Sequence, residues 1–219
     1  MQQIRFLCLA LVAGLAAALP VAAAETAGPV LSRAGEQLAL EALEQRLLMP
    51  APDWLAAGAE IDPNAPETLL EADAQEVSLL LYPRAESEAF WTTRVGARLS
   101  LDGNANLKAY RDVVIIGYAQ ICRPELTAFF QLSPDQGEEL APLGFACGGY
   151  NDRLSGYQGK GEVMIMRFLK TARGVGVVYQ EWLGPAFDPA TPASWPVDTA
   201  LIEQRVAQFE AEVALGLVD

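Results

Sequence analysis

The chain contains no histidine. That absence removes Ser-His-Asp and Cys-His catalysis, imidazole acid/base work near neutral pH, and the usual imidazole sites for zinc and copper. An enzyme built from this sequence would have to rely on carboxylates, Lys, Tyr or an organic cofactor. Basic side chains are scarce as well: 15 Lys and Arg stand against 28 Asp and Glu in 219 residues, a formal net charge of −13. A field of that sign repels polyphosphate, and no concentrated basic patch interrupts it, since Arg167, Lys170 and Arg173 are spread across an expected hairpin. Nucleic acid is therefore not an expected partner. No Gly-x-Ser-x-Gly elbow, Ser-x-x-Lys or dinucleotide fingerprint is present, and Gly159-Lys160 is followed by Gly161 where a phosphate loop needs Ser or Thr. No catalytic residue, cofactor or metal site is assigned.

Cysteine is nearly absent too, with three in the whole chain. Cys8 falls within residues 1–24, where a basic start at Arg5, an apolar stretch and a small-residue exit, Ala22-Ala23-Ala24, form a secretory signal peptide cut after Ala24. Beyond it no run approaches the ~18 unbroken apolar residues of a membrane helix, so no integral segment is expected after cleavage and the periplasm is the expected location. Removing the leader leaves 14 basic and 28 acidic side chains. It also leaves one even pair of cysteines, Cys122 and Cys147, which in an exported chain reads as a disulfide. A redox pair is disfavoured: Cys-x-x-Cys is missing, and Cys122 is expected at a helix C-terminus, where the dipole opposes a thiolate.

The pattern along the chain predicts an α+β fold, an antiparallel meander covered by helices in one domain over 51–219, preceded by a helical extension over 25–50. The extension is read over residues 32–48 from Leu40, Leu43 and Leu47, ended by Pro50 and Pro52. Residues 50–76 read as mostly irregular, with Trp54 as an anchor for one short strand. A strand is expected over 76–82 and a helix over 86–99, from the turn-spaced Phe90, Trp91, Val95 and Leu99. A second helix follows over 105–121, then two successive hairpins, 126–132 with 139–147 and 162–170 with 174–182. A proline-rich surface connection leads to a last helix capped by Asp198, with Ile202, Val206, Phe209 and Val213 as its stripe and Gly216 as its stop.

Asp102, Asn104 and Asn106 begin like a calcium loop, but Leu107 and Val113 stand where a glycine and a bidentate acid are required, so helix capping is the reading. Residues 144–161 hold six glycines and two tyrosines. They form either a hairpin connection or a candidate binding loop in which Tyr150, Asn151, Asp152, Arg153 and Tyr157 touch a ligand. Met164 and Met166 share a strand face and read as core. Glu86, Glu88, Glu138 and Glu139 read as solvated surface rather than as a glycosidase pair.

The element order, an exported leader, a strand followed by helices, a meander and a closing helix, resembles the α/β sandwich of the PsbP-like extrinsic proteins over roughly residues 54–213. It also resembles exported proteobacterial proteins with one cysteine at a helix end and another in a following strand. The resemblance implies a non-catalytic accessory role and carries over no site residues. The expected function is thus that of an exported, non-enzymatic binding or accessory protein for an envelope component. The alternative is a small-ligand carrier or carboxylate-dependent hydrolase using the 144–161 loop.

Overall fold

Period-two alternation, not the helical period, governs the first part of the described chain. A computed structural model describes residues 28–218; the expected leader over residues 1–24, with Cys8 and the cleavage point, lies outside the described residues. Instead of a helical extension the chain forms three strands, β1 (Val30–Ala34), β2 (Gln37–Ala42) and β3 (Gln45–Pro50), joined by tight turns. Leu38, Leu40, Leu47 and Met49 are fully buried against the rest of the protein, so this segment is part of the core. Leu, Ala, Glu and Gln carry strong helix propensity here, and burial of one strand face overrides it. The β2–β3 turn places Leu43 and Glu44 at φ of 55° and 57°, a geometry that Asn-Gly normally advertises.

Residues 51–67 are irregular, but the stretch expected to be mostly irregular as far as residue 76 also holds a strand, β4 (Thr68–Ala72), which lies beyond Trp54; β5 (Glu76–Leu81) and β6 (Thr93–Ser100) follow. The helix expected over 86–99 is absent. Val95, Ala97 and Leu99 alternate with Arg94, Gly96 and Arg98, and the two sets face opposite sides of a sheet. Helix α1 (Leu107–Ile121) follows as predicted. Asn106 caps it by accepting a hydrogen bond from the Ala109 backbone N–H at 2.9 Å, so the Asp102–Asn106 cluster starts a helix. Then come β7 (Thr127–Phe130), β8 (Leu143–Cys147), β9 (Lys160–Lys170), β10 (Val175–Pro185), α2 (Thr199–Glu212) and β11 (Ala214–Leu217). Asp198 caps α2 as expected, but Gly216 lies inside β11 rather than at the helix stop.

The strands build two wholly antiparallel sheets, β1-β2-β3-β11 and β4-β5-β6-β10-β9-β8-β7. The fold is mainly β, with two α-helices among the described residues, and fits the expected α+β class only loosely. Of the two successive helices expected over 86–99 and 105–121, only α1 forms. The back face of the large sheet (Val77, Leu79, Val95, Ala97, Leu99, Val163, Ile165, Val178, Trp182) meets the small sheet and the Ile202, Val206 and Phe209 stripe of α2 in the main core. The front face carries a second cluster, including Phe145, Met164, Met166 and Phe168, beneath α1. Cys122, the residue that ends α1, and Cys147 at the end of β8 have their Cα atoms 5.7 Å apart and their sulfurs at bonding distance, as expected from the sequence. The bridge pins the end of α1 to the sheet.

Candidate functional site

Helix α1 is unusually apolar for how little of it is covered. Among its fifteen residues only Arg111 is buried, held by a two-pronged ion pair to Asp135 (3.0 and 2.8 Å), while Val113 and Ile116 are exposed. Aromatic contacts hold its inner side: Tyr110 edge-on against Phe168 (6.4 Å between ring centroids) and Tyr118 tilted against Phe145 (6.1 Å). On its other flank the helix stands away from β6 and β10. The gap is a groove of about 380 Å³ lined by Tyr110, Val114, Gly117, Tyr118 and Ile121 above and Arg98, Met166, Val177 and Tyr179 below, with Val113 at the rim. Its volume falls within the ~300–1,000 Å³ of small-molecule pockets.

Two glycines shape it. Gly96 faces Tyr179 directly across β6 and β10, and a Cβ at Gly96 would come within 2.1 Å of the tyrosine ring. The missing side chain lets Tyr179 lie flat and form the floor. Gly96→Ala is expected to expel that ring and cost about 1–3 kcal/mol of stability, measurable by denaturant unfolding; an unchanged midpoint would mean the ring moves at no cost. Gly117 sits in mid-helix with nothing within 4 Å of where its Cβ would be, so it opens space rather than permitting close packing.

Next to the groove the front face hides an ionisable cluster. Glu162 on β9 and Glu181 on β10 are 3% and 0% exposed. Arg94 of β6, directly opposite Glu181 in register, donates to it and stacks over Trp91 with its guanidinium 4.2 Å from the ring. Tyr150 donates its hydroxyl proton to Glu162, Trp91 Nε1 donates to the Tyr157 hydroxyl at 3.1 Å, and the two tyrosine rings meet edge-on at 5.1 Å. The one guanidinium of the cluster thus pairs with Glu181, while Glu162 is held by the Tyr150 hydroxyl. Burial, with Glu181 adding to it, pushes the Glu162 carboxyl up to about 8, against the smaller opposing pulls of the Tyr150 hydrogen bond and Arg94. The second oxygen of Glu181 and the Tyr82 hydroxyl are buried without a partner. The acids are sealed, so this cluster can hold a proton and clamp a loop, but neither carboxylate is open to a substrate.

That clamped loop is the one singled out in the sequence. Tyr150 is buried and Tyr157 half-buried, both turned into the cluster. Asn151 is tied to the end of α1, its backbone N–H donating to the Ile121 carbonyl at 2.9 Å and its side chain to the Gln120 carbonyl at 2.8 Å. Asp152 and Arg153 are at the surface. The five residues therefore do not converge on one opening. Of the six glycines, Gly156 and Gly159 have positive φ, while Gly144, Gly148 and Gly161 admit Phe130 or the Phe187 segment at distances no Cβ would allow.

Glu86 accepts from the Thr92 N–H and hydroxyl, both at 2.7 Å, and Glu139 accepts from Arg167. They belong to connections near opposite edges of the sheet and form no pair. A larger and more polar cleft of about 1130 Å³ runs past the start of α1, and most of its charged groups are engaged within the chain: Arg167 with Phe209 and Glu139, Lys170 with the Ala105 carbonyl, Asp135 with Arg111. Met164 and Met166 are core residues, the latter also part of the groove. Arg94, Arg98, Glu162, Tyr179 and Glu181 were not singled out from the sequence, although inward-facing charges in otherwise apolar alternating strands could have marked them. No protein family, curated protein or solved structure matches the chain.

Proposed function

We propose that this is an exported, non-enzymatic binding protein of the periplasm that holds a small apolar ligand in the groove between α1 and the large sheet. The observation that carries the reading is a pocket-sized, mostly apolar gap along the flank of a helix that leaves Val113 and Ile116 in solvent. An open-sided groove of this kind also suits hand-over of its ligand to an envelope component, the role expected from the sequence. The hydrolase alternative draws less support, because the acids packed behind the 144–161 loop are out of reach of a substrate.

Binding is tested with the neutral fluorophore N-phenyl-1-naphthylamine. Saturable enhancement at one site per chain, lost in Gly117→Leu, is the expected result; enhancement that never saturates, or that survives the filled groove, would sink the reading. Export predicts that the intact mass of protein recovered from the periplasm begins at Glu25, and a retained leader would contradict it.

A further inference from the structure

The groove has one charged lining residue, and that residue is a cation in a chain dominated by acids. We propose that the groove selects a small amphipathic anion, an apolar or aromatic body ending in one carboxylate or sulfonate, with Arg98 receiving the head group. The inference rests on the groove reading above and adds the charge and shape of the ligand.

Other arginines on the large sheet and its helices are bound up in the fold. Arg94 serves Glu181, Arg111 serves Asp135, Arg167 serves the Phe209 carbonyl and Glu139, and Arg205 serves Asp53. Arg98 differs. Its ion-pair partner is Glu76 on neighbouring β5, at 3.3 Å, with both side chains more than two-fifths exposed (43% and 42%). A pair in that setting contributes little and yields readily to a competing anion. On β6 the Arg98 side chain stands on the same face as Gly96, two residues further along, so it lies beside the Tyr179 floor. A ligand whose body occupies the space between Tyr179, Met166 and Val114 can therefore place its head group at Arg98 while Tyr110 and Tyr118 flank it. Aromatic walls with one cation at the end match an aromatic or acyl body with one anionic end.

Gly117 fits the same purpose. A glycine in a helix interior is less stable than alanine there, and nothing packs against this one to explain it. Its effect is to leave the groove unblocked.

The experiment compares two probes that share one ring system, neutral N-phenyl-1-naphthylamine and anionic 1-anilinonaphthalene-8-sulfonate, on the full mature protein. The anionic probe is expected to bind tighter despite the overall negative charge. Arg98→Gln should weaken the anion roughly tenfold and the neutral probe less than about twofold, the effect of removing one charge-assisted hydrogen bond. Glu76→Gln, which frees Arg98, should strengthen the anion alone. Gly117→Leu should abolish both without lowering the melting temperature. Equal binding of the two probes, or equal loss of both in Arg98→Gln, would overturn the anion preference while leaving the groove in place. Failure of the neutral probe to bind saturably would remove the groove reading and this inference with it.

Discussion

Raising the pH from about 5 to about 9 is expected to lower the melting temperature by roughly 10 °C, and most of that fall should disappear in Glu162→Gln. The cause is a carboxyl that folding places where ionisation is costly. Unfolded, Glu162 titrates at the ordinary 4.5; folded, burial and the neighbouring Glu181 push it up to about 8. Between those values the folded protein keeps a proton that the unfolded chain has released. Its stability therefore declines as pH climbs through the window and levels off above it, a total on the order of 4 kcal/mol. Tyr150 from the loop, Glu181 from β10, Arg94 from β6 and Tyr118 from α1 act on Glu162, while Tyr157 packs against Tyr150, and Tyr179 and Tyr82 stand near Glu181 and Arg94. The phenols of Tyr82, Tyr118, Tyr150 and Tyr179 are raised by burial first, and their titration takes away stability only above ~10, beyond the window. Asp135, lowered chiefly by its hydrogen bond from Arg111, and Asp73 and Glu125, lowered chiefly by backbone hydrogen bonds, act at the acid end, where protonation removes what they contribute. The window thus belongs to Glu162. A flat profile between about pH 5 and 9, or an equal slope in Glu162→Gln, would show that the proton is not held there.

The same cluster explains where sequence reasoning reached and where it stopped. Strands β5 and β8 to β10 could be read because Val, Ile, Met, Phe and Tyr are dense there and turn residues bracket them, and α2 because Asp198 announces its start. Strand β6 was hidden: Phe90, Trp91, Val95 and Leu99 imitate one face of a helix, and only the register of Arg94, Gly96 and Arg98 against β10 reveals period two. The small sheet was hidden for the opposite reason. Its residues favour helix locally, and its sharpest turn is made by Leu43 and Glu44 without glycine or asparagine. Since β6 supplies both Arg94 and Arg98, misreading one strand removed both the buried cluster and the groove from view. The glycines of 144–161 were visible but ambiguous, because positive φ and close approach leave the same letter in a sequence.

Replacing both Cys122 and Cys147 by alanine is expected to lower stability by about 3 kcal/mol, with a fall in melting temperature of roughly 10 °C. The bridge spans 25 residues, and opening it restores to the unfolded chain the entropy of that closed loop. A second consequence is local. Helix α1 buries little of itself, so its position depends on a few tethers: the Arg111–Asp135 pair, the Tyr110 and Tyr118 ring contacts, the Asn151 hydrogen bonds to the Gln120 and Ile121 carbonyls, and the sulfur link at its end. Without the link, the C-terminal turn, which carries Gly117, Tyr118 and Ile121 over the groove, should exchange its amide hydrogens faster, and affinity for the neutral probe should drop with it. Both sulfurs lie within buried residues, 1% and 0% exposed, so a mild thiol reductant should leave the bridge intact under native conditions and cut it only on unfolding. Rapid reduction of the folded protein would instead identify an accessible, exchangeable pair. An unchanged melting temperature in the double alanine variant would show that the fold holds α1 in place without it.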